Sequence, residues 1–223
     1  MKVDLSSKIR LDQVSDRYFN PSSEIELASL TRFEKIATQV VESSSKAAAT
    51  AAREIAQIIN ECVKDKGRCV IGLGSGRCVL DVYDELVKLY FADKVSFANV
   101  IAFNTCELGL GVVDNSETSC PFNRINKHLI SKVDIDPCNV HTFSNEATKE
   151  NVQQLCHAYE QEIAEQGGLD IAISEITKNG SLALNEPGSA SNSSCRLVLM
   201  GNNARAHLVE ALQNENIPGT VVT

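Results

Sequence analysis

Residues 69–90 read CVIGLGSGRCVLDVYDELVKLY, and this stretch decides the fold. Cys69 to Leu73 is an unbroken apolar run of strand length. Gly74-Ser75-Gly76-Arg77 interrupts it, and an apolar pattern of helical period continues through Tyr90. A short continuous apolar run implies a strand covered on both faces, and the amphipathic stretch after the glycines implies a helix packed back onto it. The unit is therefore strand, tight turn, helix.

The same alternation extends in both directions. Upstream, Thr38 to Val41 reads as a short strand. Ser43, Ser44 and Ser45 then offer capping oxygens to the Ala-rich helix KAAATAAREIAQIINECVK, which Gly67 stops. Downstream, Asn99 to Phe103 is a second buried strand followed by a long polar loop. A helix from Phe122 to Ile130, a strand from Asn139 to Phe143 and an amphipathic helix from Glu146 to Glu165 come next. A strand through Leu169, Ile171 and Ile173, another from Cys195 to Met200, and a last helix from Asn203 to Gln213 complete the pattern.

Such alternation requires β-α-β crossovers. The expected fold class is α/β: a three-layer, doubly wound, mostly parallel sheet with helices on both faces. Residues 1–33, with Tyr18, Phe19, Asn20 and Pro21, read as a wrapping N-terminal arm, and 34–223 as a single α/β domain. Ligands of such sheets sit beyond the C-terminal strand ends. The loops after Leu73, Phe103, Ile176 and Met200 are thus where chemistry is expected.

The 223 residues are 43% hydrophobic, enough for a sizeable core. Lys and Arg total 21 against 29 Asp and Glu, a net charge of −8, so neither nucleic acid nor an anionic membrane is an expected partner. No run approaches the roughly 20 apolar residues of a membrane helix. The opening MKVDLSSKIRLDQ has no apolar core of a signal peptide. Eight cysteines lack any C-x-x-C pair, and several lie inside apolar runs, as in RCVIGL and CRLVLM. These features imply free thiols in a reducing cytoplasm, with no metal site and no cofactor.

Four stretches resemble the glucosamine-6-phosphate deaminase (isomerase) family. They are TRFEKIATQVVESS (31–44), CVIGLGSGRCVLDVYDELVKLY (69–90), VSFANVIAFNTCELGLG (95–111) and GGLDIAISEITKNGSLALNEPGS (167–189). The resemblance implies the fold shared by 6-phosphogluconolactonases, ribose-5-phosphate isomerases and CoA transferases, and a hexosamine 6-phosphate as ligand. It also implies departures. Members typically read F-N-x-D-E-Y where this chain has Phe103-Asn104-Thr105-Cys106-Glu107-Leu108, so Cys106 holds the place of the aspartate base. The second loop typically reads G-x-G-x-D-G-H-I-A-F-N-E-P. Asn179 stands at its aspartate, Ser181 at its ring-opening histidine, and Glu186 at the carboxylate partner of that histidine. Ser194 stands at the first arginine of an S-R-T-R stretch, and Arg196 fits the second. After about residue 196 the chain is shortened and lacks the lid segment.

The residues themselves allow two readings at several points. Gly74, Ser75, Gly76 and Arg77 are either a phosphate cradle or a tight turn. Gly201 to Arg205 is either a capped turn or a place where Arg205 meets phosphate. Asn104, Asn179 and Gly180 complete the expected substrate-binding set. Glu107 is the one carboxylate left beside the base position, and Glu186 is either catalytic or a turn cap. Cys106 could act as a base only with a lowered pKa. Ser181 cannot shuttle protons as an imidazole does. His128, His141, His157 and His207 all fall outside the catalytic loops. Two functions therefore follow: a deaminase-like protein of amino-sugar phosphate metabolism with impaired or lost catalysis, or a noncatalytic sugar-phosphate-binding or assembly protein. Loss of the lid exposes apolar surface, which homo-oligomerisation would cover.

Overall fold

The computed structural model describes residues 21–32, 36–108, 120–143, 147–177, 179–202, 204–206, 209 and 220–223. Residues 48–223 form one compact unit, and the described residues before them belong to a separate one. In that first unit, α1 (Glu24–Thr31) is capped by Ser23, whose hydroxyl accepts from the Glu26 amide. The strand expected at Thr38–Val41 does not form. Among the described residues this segment has no ladder partner, and its side chains from 36 to 40 are exposed, so nothing offsets the cost of extending it.

The main unit is organised by strand β1 (Cys69–Leu73), all five residues of which are buried. It pairs in parallel with β2 (Val100–Asn104) on one side and β5 (Ile171–Ile173) on the other. Strand β4 (Val140–His141) adds to β2, giving the order β4-β2-β1-β5. Side chains alternate across a strand, so β1 feeds two cores. Cys69, Ile71 and Leu73 join the cluster formed with helices α2 (Ser44–Lys66), α3 (Arg77–Phe91) and α4 (Pro121–His128). Val70 joins the opposite cluster with Val152, Cys156 and Tyr159 of α5 (Val152–Glu165). Helices therefore cover both faces of a parallel sheet, as the alternation required.

Helix α2 begins where expected. Ser43 Oγ accepts from the Lys46 amide, and Ala52, Ile55, Ala56 and Ile59 make its buried face. Helix α5 begins at Val152, later than Glu146. Thr148 N donates to the Asn151 side chain, which holds the preceding residues in a turn. Lys66 of α2 pairs with Asp170, whose other oxygen accepts from Val70 N at 2.8 Å. That contact fastens the end of α2 and the start of β5 to the central strand.

One element differs in kind from the sequence pattern. The strand expected at Cys195–Met200 exists as β6 (Leu197–Leu199), but it lies outside the parallel sheet. It runs antiparallel to β7 (Thr220–Val222), which pairs on its other edge with β3 (Glu107–Leu108). Strands this short carry no readable periodicity. Of the last helix, Asn202, residues 204–206 and Val209 are helical, and the remainder lies outside the described residues. Among the described residues, no helix is long and apolar enough to cross a membrane.

Gly74 sits where β1 meets β5. Its amide donates to Ile173 O at 2.9 Å, its carbonyl accepts from the buried Tyr83 hydroxyl at 2.7 Å, and an added Cβ would lie 2.7 Å from Ile173 O. Gly72 instead faces the ends of the Leu169 and Thr105 side chains, at 2.9 Å. Backbone cannot yield as a side chain can. Gly74→Ala is expected to lower unfolding free energy by about 2–3 kcal/mol in urea titration, and Gly72→Ala by roughly half of that.

Candidate active site at the C-terminal ends of the central strands

The register of the sheet brings three loops to one level. Leu73 is paired with Asn104 on one side and Ile173 on the other. Two further bonds carry the alignment into the loops: Thr105 N donates to Leu73 O at 3.0 Å, and Gly74 N to Ile173 O. The turn at Ser75, the loop at Asn104 and the hairpin beyond Ile173 thus leave the sheet side by side.

Asn104 and Cys106 face the first loop inward. Cys106 is buried, and its Sγ lies 3.7 Å from Ser75 Oγ, which links the glycine turn to the second loop. Its amide leans on Asn104 Oδ1 at 3.4 Å. Burial pushes the Cys106 thiol up to about 11; the Ser75 hydrogen bond opposes this and the neighbouring Glu107 carboxylate adds to it. At neutral pH the sulfur therefore keeps its proton.

Glu107 is only 6% exposed, and donors surround it. Its carboxylate accepts from Asn104 Nδ2 at 3.0 Å, Leu108 N at 2.9 Å, and Cys120 Sγ and Phe122 N at 3.4 Å each. The last two sit at the start of α4, whose N-cap Cys120 provides no side-chain cap of its own. Glu107 supplies that cap from the neighbouring loop. Desolvation raises its pKa, and the four donors pull the other way.

The hairpin after β5 is built on Asn179. Its Oδ1 accepts from Ser181 Oγ at 2.9 Å, from Ser181 N at 3.2 Å and from Thr177 Oγ1. Gly180 takes φ +83°, the left-handed turn that Asn-Gly favours. Ser181 is buried with its hydroxyl committed to Asn179. Beyond it, Asn185 bonds Arg196 at 2.8 Å and the Thr223 hydroxyl at 2.9 Å. Glu186 Oε1 accepts from Gly201 N at 2.7 Å.

These loops enclose a cleft of about 480 Å³, lined among others by Asn104, Cys106, Glu107, Gly180, Glu186 and Arg196. Of the residues expected from sequence, those six face one hollow, and Ser75 reaches it through Cys106. Asn179 stands behind it, shaping the hairpin. Gly74, Gly76 and Arg77 border the N-terminus of α3 instead, and Arg205 is exposed away from the cleft lining. None of the described histidines lines the cleft. His128 meets Asp84 at 3.1 Å, and His141 stacks on Phe103 and meets Glu162 at 3.2 Å.

Two residues at the α3 end had no sequence signal of their own. The Glu175 carboxyl group lies over Gly76, so close that an added Cβ there would meet its atoms at 2.0–2.4 Å. Arg124 of α4 is half-buried nearby. Burial pulls its guanidinium below its ordinary range; Glu175 opposes that and Arg77 reinforces it. The one clue was that Glu175 occupies the first glycine of the G-x-G pattern.

For a metal, the described residues gather one group: Cys62, Cys69 and Asp170, with ligand atoms within 4.8 Å of one another. The Lys66 ammonium already neutralises Asp170, and burial pushes the Cys69 thiol up to about 12. The group is accounted for as ion-paired packing beneath the sheet.

Replacing Glu107 tests its part in the site. Glu107→Ala leaves the Leu108 and Phe122 amides and Asn104 Nδ2 without their acceptor, and is expected to cost about 3 kcal/mol in chemical unfolding. A carboxyl whose folded pKa is raised contributes stability below its ordinary value of 4.5 and loses it as pH climbs through the raised value. The stability of the wild type relative to Glu107→Gln is therefore expected to fall between acidic and neutral pH.

The chain has recognisable relatives among known proteins. Residues 42–184 match the family of glucosamine-6-phosphate isomerases and 6-phosphogluconolactonases. A glucosamine-6-phosphate deaminase-like protein of Bacteroides thetaiotaomicron is 39% identical over the whole of this chain, which spans 34% of that protein. Glucosamine-6-phosphate deaminase 1 of Giardia intestinalis is 36% identical over 66% of this chain and 54% of its own length. The chain thus spans about a third to a half of the length of these relatives. Among solved structures, a monomeric glucosamine-6-phosphate deaminase superposes with a TM-score of 0.70 at 24% identity, over 82% of this chain and 73% of that one. A 6-phosphogluconolactonase of Thermotoga maritima superposes with a TM-score of 0.61 at 19% identity, over 82% and 74%. These two share the fold.

Proposed function

Because this chain belongs to the glucosamine-6-phosphate isomerase/6-phosphogluconolactonase family, we propose that its cleft is a deaminase-type site for a hexosamine 6-phosphate in which proton transfer is strongly impaired. The observation that carries this reading is Cys106. Moving a proton between adjacent sugar carbons needs a base that is deprotonated near neutral pH. The group at that position is a buried thiol held protonated up to about pH 11.

The other proton-handling positions support the same reading. Ser181 donates its hydroxyl to Asn179, and a hydroxyl does not titrate in the working range of an imidazole. The Glu186 carboxylate is engaged by Gly201 N and, among the described residues, bonds no histidine. The carboxylate nearest the base position, Glu107, is ringed by four donors and caps α4. What the cleft keeps is shape: Asn104, Gly180 and Arg196 still surround one hollow.

Incubation with glucosamine 6-phosphate, with ammonia and fructose 6-phosphate followed by coupled assay, tests this. The wild type is expected to turn over no faster than the Asn179→Ala/Glu186→Ala variant. Release more than about tenfold above that variant, roughly 1.4 kcal/mol of transition-state stabilisation, would overturn the proposal.

We further propose self-association through the hairpin beside the edge strand β5. Ile176 and Leu182 are paired across it and are 73% and 55% exposed. Light scattering is expected to give a mass above that of one chain. A monomer mass that stays constant as concentration rises contradicts this.

A further inference from the structure

We propose that the Glu175 carboxylate is an internal counter-anion seated at the phosphate end of the site, so that a phosphorylated ligand binds only by pushing it aside. This inference deepens the function proposed above and rests on it.

The seat is defined by the backbone. Helix α3 starts at Arg77, with Gly76 as its N-cap, a residue that has no side chain to cap the first turn. A fifteen-residue helix left in that state presents positive partial charge and first-turn N–H groups to whatever anion approaches. Gly76 allows that approach because it has no Cβ, and the space a Cβ would need is taken by Glu175, with Cδ at 2.0 Å and both oxygens at 2.4 Å from the Cβ position. The occupant of the seat is thus a carboxylate of the same chain.

The charges around it fit that role. Arg77 opens the helix, and Arg124 lies on α4 within electrostatic range of both Arg77 and Glu175. The Arg77 charge disfavours that of Arg124, and the Glu175 carboxylate offsets this. Cys106, at the inner wall of the cleft, also senses Glu175. The seat and the cleft are therefore neighbours, joined through the Cys106 and Ser75 contact.

The backbone of Glu175 is tethered by the hairpin. Glu175 O accepts from Ala183 N at 3.2 Å, which fixes the backbone in the hairpin. Among the described residues the carboxylate itself makes no hydrogen bond or ion pair, so rotation about its side-chain bonds is enough to vacate the seat. A phosphate dianion and this carboxylate cannot share one position above Gly76, because like charges at contact in a partly desolvated corner repel strongly. A glycine at position 175 leaves the seat open.

Isothermal titration of the full chain with inorganic phosphate and with glucosamine 6-phosphate tests the inference. Glu175→Gln and Glu175→Gly are each expected to bind both compounds at least about tenfold more tightly than the wild type. That gain is expected to vanish in the Glu175→Gln/Arg124→Ala double variant. Wild-type binding of glucosamine 6-phosphate as tight as that of Glu175→Gln overturns the inference and leaves the sugar-phosphate site standing. So does a gain that survives loss of Arg124. Failure of the wild type and both single variants to bind either compound, with their circular dichroism unchanged, overturns the site and the inference together.

Discussion

Strand β1 is hydrogen-bonded along both edges and buried on both faces, and every group at the site takes its position from that constraint. Its pairing with β2 sets where Asn104 ends, and its pairing with β5 sets where Ile173 ends. A slip of one residue in either pairing would turn Ile71 and Leu73 out of one core and Val70 out of the other, so the register is strongly specified. Tyr83 and Tyr159 then lock the strand ends from opposite faces. Tyr83 bonds Gly74 O, and Tyr159 bonds the carbonyls of Asn104 and His141. The cleft exists because three strand ends cannot move relative to one another.

The fold was legible because its main signal is hydrophobic period over long segments. The run Cys69–Leu73 and the stretches forming α2, α3 and α5 are long or apolar enough to define themselves. In the small sheet of β3, β6 and β7 the strand at β6 was legible, but β3, β7 and the antiparallel pairing were not, since that pairing is set by partners distant in sequence. Thr38–Val41 failed for the converse reason: it has β-branched residues but nothing to pair with among the described residues. In the site, the loops were placed by the rule for parallel sheets, and the convergence of Asn104, Cys106 and Gly180 follows from it. The work of single side chains was not legible. Glu107 looked like a spare base, and its bond to the first turn of α4 is a relation that only folding creates. Glu175 and Arg124 come within electrostatic range across about fifty residues of chain, and no spacing rule connects them.

The hairpin and the C-terminal sheet hold the pocket by contacts that do not titrate. Asn179 organises three donors around one carbonyl oxygen, which is structural work that the amide does without titrating. Asn185 reaches both Arg196 and Thr223, and the backbones of those two residues exchange hydrogen bonds at 3.0 and 3.1 Å. The Asn-Glu-Pro loop is thus held by amide, guanidinium and backbone groups. Such contacts are indifferent to pH near neutrality, so the walls keep their shape whatever happens to the proton carriers.

Glu107 also joins two parts that would otherwise be independent. One of its oxygens serves the loop that carries Cys106, through Leu108 N, and the other serves Asn104 and the first turn of α4, through Phe122 N. Arg124 rides on that first turn, two residues further along. A single carboxylate thereby acts as the rivet between the cleft floor and the helix that brings positive charge to the corner. A displacement of Glu107 therefore also disturbs the first turn of α4 and the guanidinium it carries, so the cleft wall and the charge at its corner are mechanically coupled.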